Sequence, residues 1–122
     1  MKEEGGRMKD LTQRTREFAV SVIRLYSSLP KSAEAQVIGK QLLRAGTSVG
    51  AHYREATRAR SDAEFISQIE GGLQELEETR YWLELLRDAE IVRWDRLAEL
   101  DTEADELSAI LVTLAKHRKA AR

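Results

Sequence analysis

Apolar positions recur every three or four residues along almost all of this chain, the spacing of α-helices that each bury one side. Phe18, Val22, Leu25 and Leu29 share one face of a first helix, expected from about Leu11 to Ser28. Pro30 ends it, because the residue before a proline is pushed out of the α region. Ser32 is a good N-cap for a second helix. There Ile38, Leu42, Ala45, Val49, His52 and Ala56 form one seam, and Gly39, Leu43, Gly46, Gly50 and Tyr53 form another beside it. Two adjacent seams predict burial on two sides. After a link near Ala59–Arg60, Ser61 and Glu64 make a capping box, each satisfying a backbone N–H of the other's turn. The third helix carries Ile66, Ile69, Leu73, Leu76 and Leu83 as its stripe, widened by Phe65, Trp82, Leu85 and Leu86. A link from about Asp88 to Trp94 leads to Asp95, the expected cap of helix four. In that helix Leu97, Leu100, Ala104, Leu107, Leu111 and Leu114 alternate by three and four, as in a coiled-coil seam. Links this short join antiparallel neighbours. The expected fold class is therefore all-α, an antiparallel up-down-up-down four-helix bundle over residues 11–118. A flexible polar tail is expected at 1–10 and a short basic tail at 119–122.

The glycines disturb this pattern. Each one inside a helix costs about 1 kcal/mol relative to alanine, and close approach of another backbone is the usual compensation. Gly46 and Gly50 therefore mark a packing contact, and the Gly71-Gly72 pair marks a second. Periodicity alone also leaves open a break at Gly46-Thr47-Ser48, since these residues favour turns. If the helix is continuous, leucine at Gly50 would hold two helices apart.

A length of 122 residues argues for one domain, and 42% hydrophobic content is enough for a modest core. One proline among abundant Ala, Leu, Glu, Arg and Lys favours helix throughout. The absence of cysteine excludes disulfide and thiol chemistry. The start, MKEEGGRMKD, lacks the apolar core of a signal peptide, and no run approaches the roughly 18 apolar residues of a membrane span. The expected compartment is the cytoplasm, with no membrane association.

A net charge of −1 does not favour a dedicated nucleic-acid binder, yet the charges fall in blocks. Lys40, Arg44, Arg54, Arg58 and Arg60 meet only Glu55 between positions 40 and 60. From Asp62 to Glu90 the chain is strongly acidic, and the end, KHRKAAR, is basic again. Arg44, Arg54 and Arg58 are candidates for an anion site, to be weighed against ion pairing with the acidic third helix. Lys116, Arg118 and Lys119 could grip nucleic acid, or simply complement the negative end of the fourth helix dipole.

Catalytic candidates are thin. His52 has Glu55 three residues on, but di-iron bundles need Glu-x-x-His on two helices with further Glu on two others. A hydrogen-bonded structural histidine is the expected role. Thr47 and Ser48 lack a base and an orienting carboxylate, and their hydroxyls are expected to bond back to helical carbonyls. Tyr53, Tyr81, Trp82 and Trp94 sit at helical spacing, which points to core or interface. No enzyme activity, cofactor, metal or small-molecule substrate is expected.

The stretch LLRAGTSVGAHYREATRARSDAEFISQIEGGLQELEETRYWLELL, together with REFAVSVIRLYSSLPK before it, resembles the bacterial four-helix-bundle family, also called 23S ribosomal RNA intervening-sequence proteins. The resemblance covers roughly Leu11 to Leu114 and implies that helix two is continuous. It also implies assembly into a homopentamer with no established catalytic activity. A related protein, the accessory variability determinant of diversity-generating retroelements, is basic and works with nucleic acid and a reverse transcriptase. This chain departs from the family pattern with His52 where Asn is usual, and with Glu55-Ala56 where many members have Glu-Gly. The resulting expectation is a non-enzymatic, homo-oligomeric scaffold or adaptor with Gly46, Gly50, Tyr53 and Trp82 at contacts between copies. The alternative is a nucleic-acid-binding accessory factor using Arg44, Arg54, Arg58, Lys116, Arg118 and Lys119.

Overall fold

The structure is a computed structural model that describes residues 2–121, with side chains from Leu11 to Ala121. The tail expected over 1–10 lies outside the range of described side chains, and Arg122 lies outside the described residues. Four helices follow one another: α1 (Lys2–Ser27), α2 (Ala33–Thr57), α3 (Asp62–Asp88) and α4 (Ala98–Ala120), with a short 3₁₀ turn at Trp94–Arg96. α4 runs through Lys119, past the boundary expected at 118. Each helix packs most extensively on its neighbours in sequence, and α1 closes thinly on α4. The arrangement is the antiparallel four-helix bundle that the periodicity predicts, with α1 and α3 at opposite corners.

Local chemistry accounts for most boundaries. The Ser32 side chain accepts from the Ala35 N–H and starts α2. The Ser61 hydroxyl accepts from the Glu64 N–H at 3.1 Å, while Glu64 accepts from the Arg60 N–H. The expected pairing of these two residues is present, with the Glu64 carboxylate reaching one residue further back. α2 is continuous through Gly46-Thr47-Ser48.

α4 starts differently from expectation. Asp95 does not cap it; Asp95 lies in the 3₁₀ turn and pairs with exposed Arg93 at 3.0 Å. The N-cap position is Leu97, which makes no side-chain cap hydrogen bond and is fully buried. Burial of a leucine, not a capping oxygen, sets where this helix begins. Two residues past the end of α3, Glu90 takes the left-handed conformation at φ 59°. The Ile91 N–H bonds back to the Leu86 carbonyl at 2.9 Å and closes the turn as a Schellman-type cap.

The core holds Phe18, Val22, Leu42, Val49, Leu76, Leu83, Leu107 and Leu111 among its members. Two threonines are buried with them. Thr15 and Thr79 satisfy their hydroxyls by donating to the carbonyls of Leu11 and Glu75, at 2.9 and 2.8 Å. That back-bond lets a polar residue occupy an apolar seam without leaving a donor unpaired.

Candidate functional site

α2 carries most of the candidates, because its two seams bring both α1 and α3 against it. A Cβ placed on Gly46 would lie 2.7 Å from a Val22 methyl, and one on Gly50 would lie 3.2 Å from Thr15 Oγ1. Both glycines thus admit α1 of the same chain. Tyr53 is buried in the core, where burial pushes its phenol above the ordinary pKa. The contact expected between copies at Gly46, Gly50 and Tyr53 is therefore made inside one chain. Trp82 differs, being only partly buried, with its ring edge-on to exposed Tyr81 at 5.0 Å between centroids. Its Nε1 is enclosed and finds no hydrogen-bond acceptor among the described residues.

On the α3 side of α2 a polar chain crosses the helix interface. His52 Nδ1 lies 2.9 Å from Gln68 Oε1, and His52 Nε2 lies 3.9 Å from a Glu75 carboxylate oxygen. Glu75 and Glu78 in turn bind Arg44. The hydrogen bond to Glu78, with the charge of Glu75 beside it, holds the Arg44 guanidinium above its ordinary pKa. Gly71 makes room for the imidazole, since a Cβ there would meet the ring at 2.6 Å. His52 is thus a hydrogen-bonded interhelical link, and Gly71 is its complement. Gly72 has its nearest Cβ contact with Leu111 at 3.4 Å, an ordinary packing distance. Gln68 and Glu75 are partners that sequence spacing did not single out, because they lie on a different helix from His52. Thr47 and Ser48 donate to the carbonyls of Leu43 and Arg44, each at 2.7 Å, and are held as structural hydroxyls.

The basic candidates divide. Arg44 is committed to α3, so it leaves the expected anion site. Arg118 pairs with Asp62 at 3.3 Å and lies over the Phe65 ring, 3.7 Å from its centroid. Lys119 pairs with Glu70 at 3.1 Å. Arg54, Arg58 and Lys116 are exposed and make no ion pair among the described residues. The up-down topology brings the C-terminal turns of α2 and α4 to the same end of the bundle, so these three cations gather there from distant parts of the sequence.

An open trough of about 900 Å³ runs between α1 and α4. Arg14 bridges one part of it to Glu103 and Glu106, at 2.8 and 3.0 Å, and Arg96 reaches Ser28 at 2.9 Å in another. No group of three or more His, Cys, Asp or Glu is placed to hold a metal ion among the described residues. No helix there is long and apolar enough to cross a membrane. The exposed large apolar side chains are the surface feature that the periodicity did not reveal. Val37 is 65% exposed, Tyr81 53%, Ile23 44%, Val20 42% and Val112 39%.

Comparison with curated proteins finds no match. A crystal structure of a protein with unknown function from the S23 ribosomal protein family of Bacteroides thetaiotaomicron superposes with a TM-score of 0.82. It is 37% identical, and the match covers 87% of this chain and 98% of that one. The model of the family described as 23S rRNA-intervening sequence protein matches residues 8–113, a span that takes in the glycine seam, the His52 link and most of α4. The chain belongs to the 23S rRNA-intervening sequence protein family.

Proposed function

We propose that this protein is a non-enzymatic, homo-oligomeric scaffold or adaptor of the cytoplasm, assembling as a pentamer. The observation that supports this most is the outer side of α3. There Tyr81 is 53% exposed beside a Trp82 that is only partly buried. Large aromatic side chains gain most of their free energy when covered, and aromatics are enriched at the centres of protein interfaces. An exposed tyrosine set edge-on against a partly buried tryptophan fits a surface that another protein covers. Light scattering after size exclusion, at micromolar protein, should give a mass of about five chains of 13.9 kDa. A mass of one chain would remove the reading. A mass of another small multiple would keep self-association and correct the number.

A second reading, a nucleic-acid-binding accessory factor, has its own support in the convergence of Arg54, Arg58 and Lys116 at one end of the bundle. Three such cations per chain imply a slope of log affinity against log salt of about −2 to −3 per chain. Filter binding to single-stranded RNA across a salt series measures it, and no binding at low salt would end this reading.

A further inference from the structure

We infer that the second copy docks head to tail, with the outward face of α1 in one chain seated on the outward face of α3 in the next. This rests on the self-association reading above and assigns the two faces. On α1, Val20 and Ile23 are large, apolar and exposed, three residues apart. Arg16 and Arg24 stand four residues to either side of Val20, exposed and without an ion pair among the described residues. Glu17, on the same helix, accepts a hydrogen bond from Gln13. On α3, Tyr81 is exposed beside Trp82. Glu77 and Glu84 stand one turn to either side of it, exposed and also without an ion pair among the described residues. The cations nearest Glu84 along the helix are committed elsewhere, Arg80 to Asp101 and Asp105 and Arg87 to Asp88.

The two faces match in chemistry and in spacing. Each has an apolar centre flanked by two charges without an ion pair among the described residues, arginines on α1 and glutamates on α3. Glu17 shares the α1 face, which leaves that face with a net positive charge of one against two negative charges on α3. At a rise of 1.5 Å per residue the two arginines are about 12 Å apart along their helix, and the two glutamates about 10.5 Å. Apolar centres gain from mutual burial, and opposite rims select partner and register.

Position in the bundle then decides the symmetry. α1 and α3 both pack on α2 and α4 and occupy opposite corners, so the two faces point away from each other. One chain cannot join its own faces. A two-fold dimer pairs one patch with itself, which would bring the net-positive α1 face against its own copy, or the glutamates of α3 against glutamates, and would leave the opposite charges of the two faces unmatched. The pairing that remains is heterologous, and repeating it produces a closed ring or an open chain.

Capped mixtures test this. Val20→Asp with Ile23→Asp disables the α1 face, and Tyr81→Asp disables the α3 face. Each variant alone should have the mass of one 13.9 kDa chain, with wild-type helical circular dichroism. Mixed in equal amounts they should stop at two chains, because only one joint between them is intact. In a second set, Arg16→Glu with Arg24→Glu should dissociate the assembly. Adding Glu77→Arg and Glu84→Arg to the same chain should restore the wild-type mass. A wild type that is itself a single chain would sink the self-association reading and this inference with it. A wild type that assembles while these variants keep its mass would overturn only the assignment of faces. Variants that fall to single chains but never pair in the mixture would overturn the head-to-tail geometry. Loss of helicity in the aspartate variants shifts the decision to the charge-swap set, where failure of the fourfold swap to restore the mass would overturn the inference.

Discussion

Gly46 and Gly50 are separated by one helical turn and by half an ångström of clearance, and that half ångström sets different consequences for alanine. At Gly46 the added Cβ would lie 2.7 Å from a methyl of Val22, a fully buried and β-branched residue with little freedom to turn away. We expect Gly46→Ala to lower stability by about 1–2 kcal/mol, overpacking outweighing the helix-propensity gain of about 1 kcal/mol. At Gly50 the clearance to Thr15 Oγ1 is 3.2 Å, and a shift of a few tenths of an ångström relieves it. Gly50→Ala should leave stability within about 0.5 kcal/mol, while Gly50→Leu should lose several times that or fail to fold. Urea unfolding followed by circular dichroism ranks all three. Tyr53 gives a pH test at the same scale. Its phenol is raised above the ordinary value by burial, so the folded chain keeps this proton at pH values where the unfolded chain has released it. Stability from this group is complete below about pH 10 and is lost as pH rises through the folded value. Tyr53→Phe should make the alkaline decline shallower, and an unchanged slope would refute the assignment.

Among the elements, the two ends around the α3–α4 link show where local chemistry and burial part. Glu90 holds a left-handed conformation that costs an L-residue roughly 1–2 kcal/mol and glycine almost nothing. Glu90→Gly should therefore stabilise the chain by about 0.5–1 kcal/mol, after glycine's extra freedom in the unfolded state is subtracted. Thermal unfolding would show this as a rise in Tm, and a fall would mean that Glu90 makes compensating contacts. Leu97 and Asp95 offer a contrast. Leu97→Ala, at a fully buried position, should cost about 2–5 kcal/mol. Asp95→Ala should cost less than about 0.5 kcal/mol, because its pair with Arg93 is open to solvent. If the aspartate proved the costlier of the two, the start of α4 would depend on a cap after all. The link gave little sign of its geometry in the sequence, since neither a glycine at the left-handed position nor a capping oxygen at the helix start is present there.

Over the whole molecule, charge is arranged by topology. The acidic third helix neutralises cations from both basic blocks, taking Arg44 from α2 and Arg118 and Lys119 from α4. Arg54, Arg58 and Lys116 are left at one end. Arg54→Ala with Arg58→Ala should leave stability within about 0.5 kcal/mol while weakening any RNA binding. Arg118→Ala should cost about 1 kcal/mol, since it loses both the Phe65 face and Asp62. Equal effects of the two changes on melting would contradict this division of roles.

The sequence by itself determined the number of helices, the faces they bury and the Ser32 and Ser61 starts. Each of these depends on residues within one or two turns of one another, and a helix repeats that geometry wherever it sits. It also showed that the glycines of α2 admit a neighbour. Only the tertiary structure decided that the neighbour is α1 of the same chain, that His52 meets Gln68 across an interface, and that Arg44 is paired while Arg54 is not. Only packing, too, left Val20, Ile23 and Tyr81 outside, because burial of an apolar side chain depends on how many partners surround its helix, and that is a property of the assembled bundle and not of any local segment.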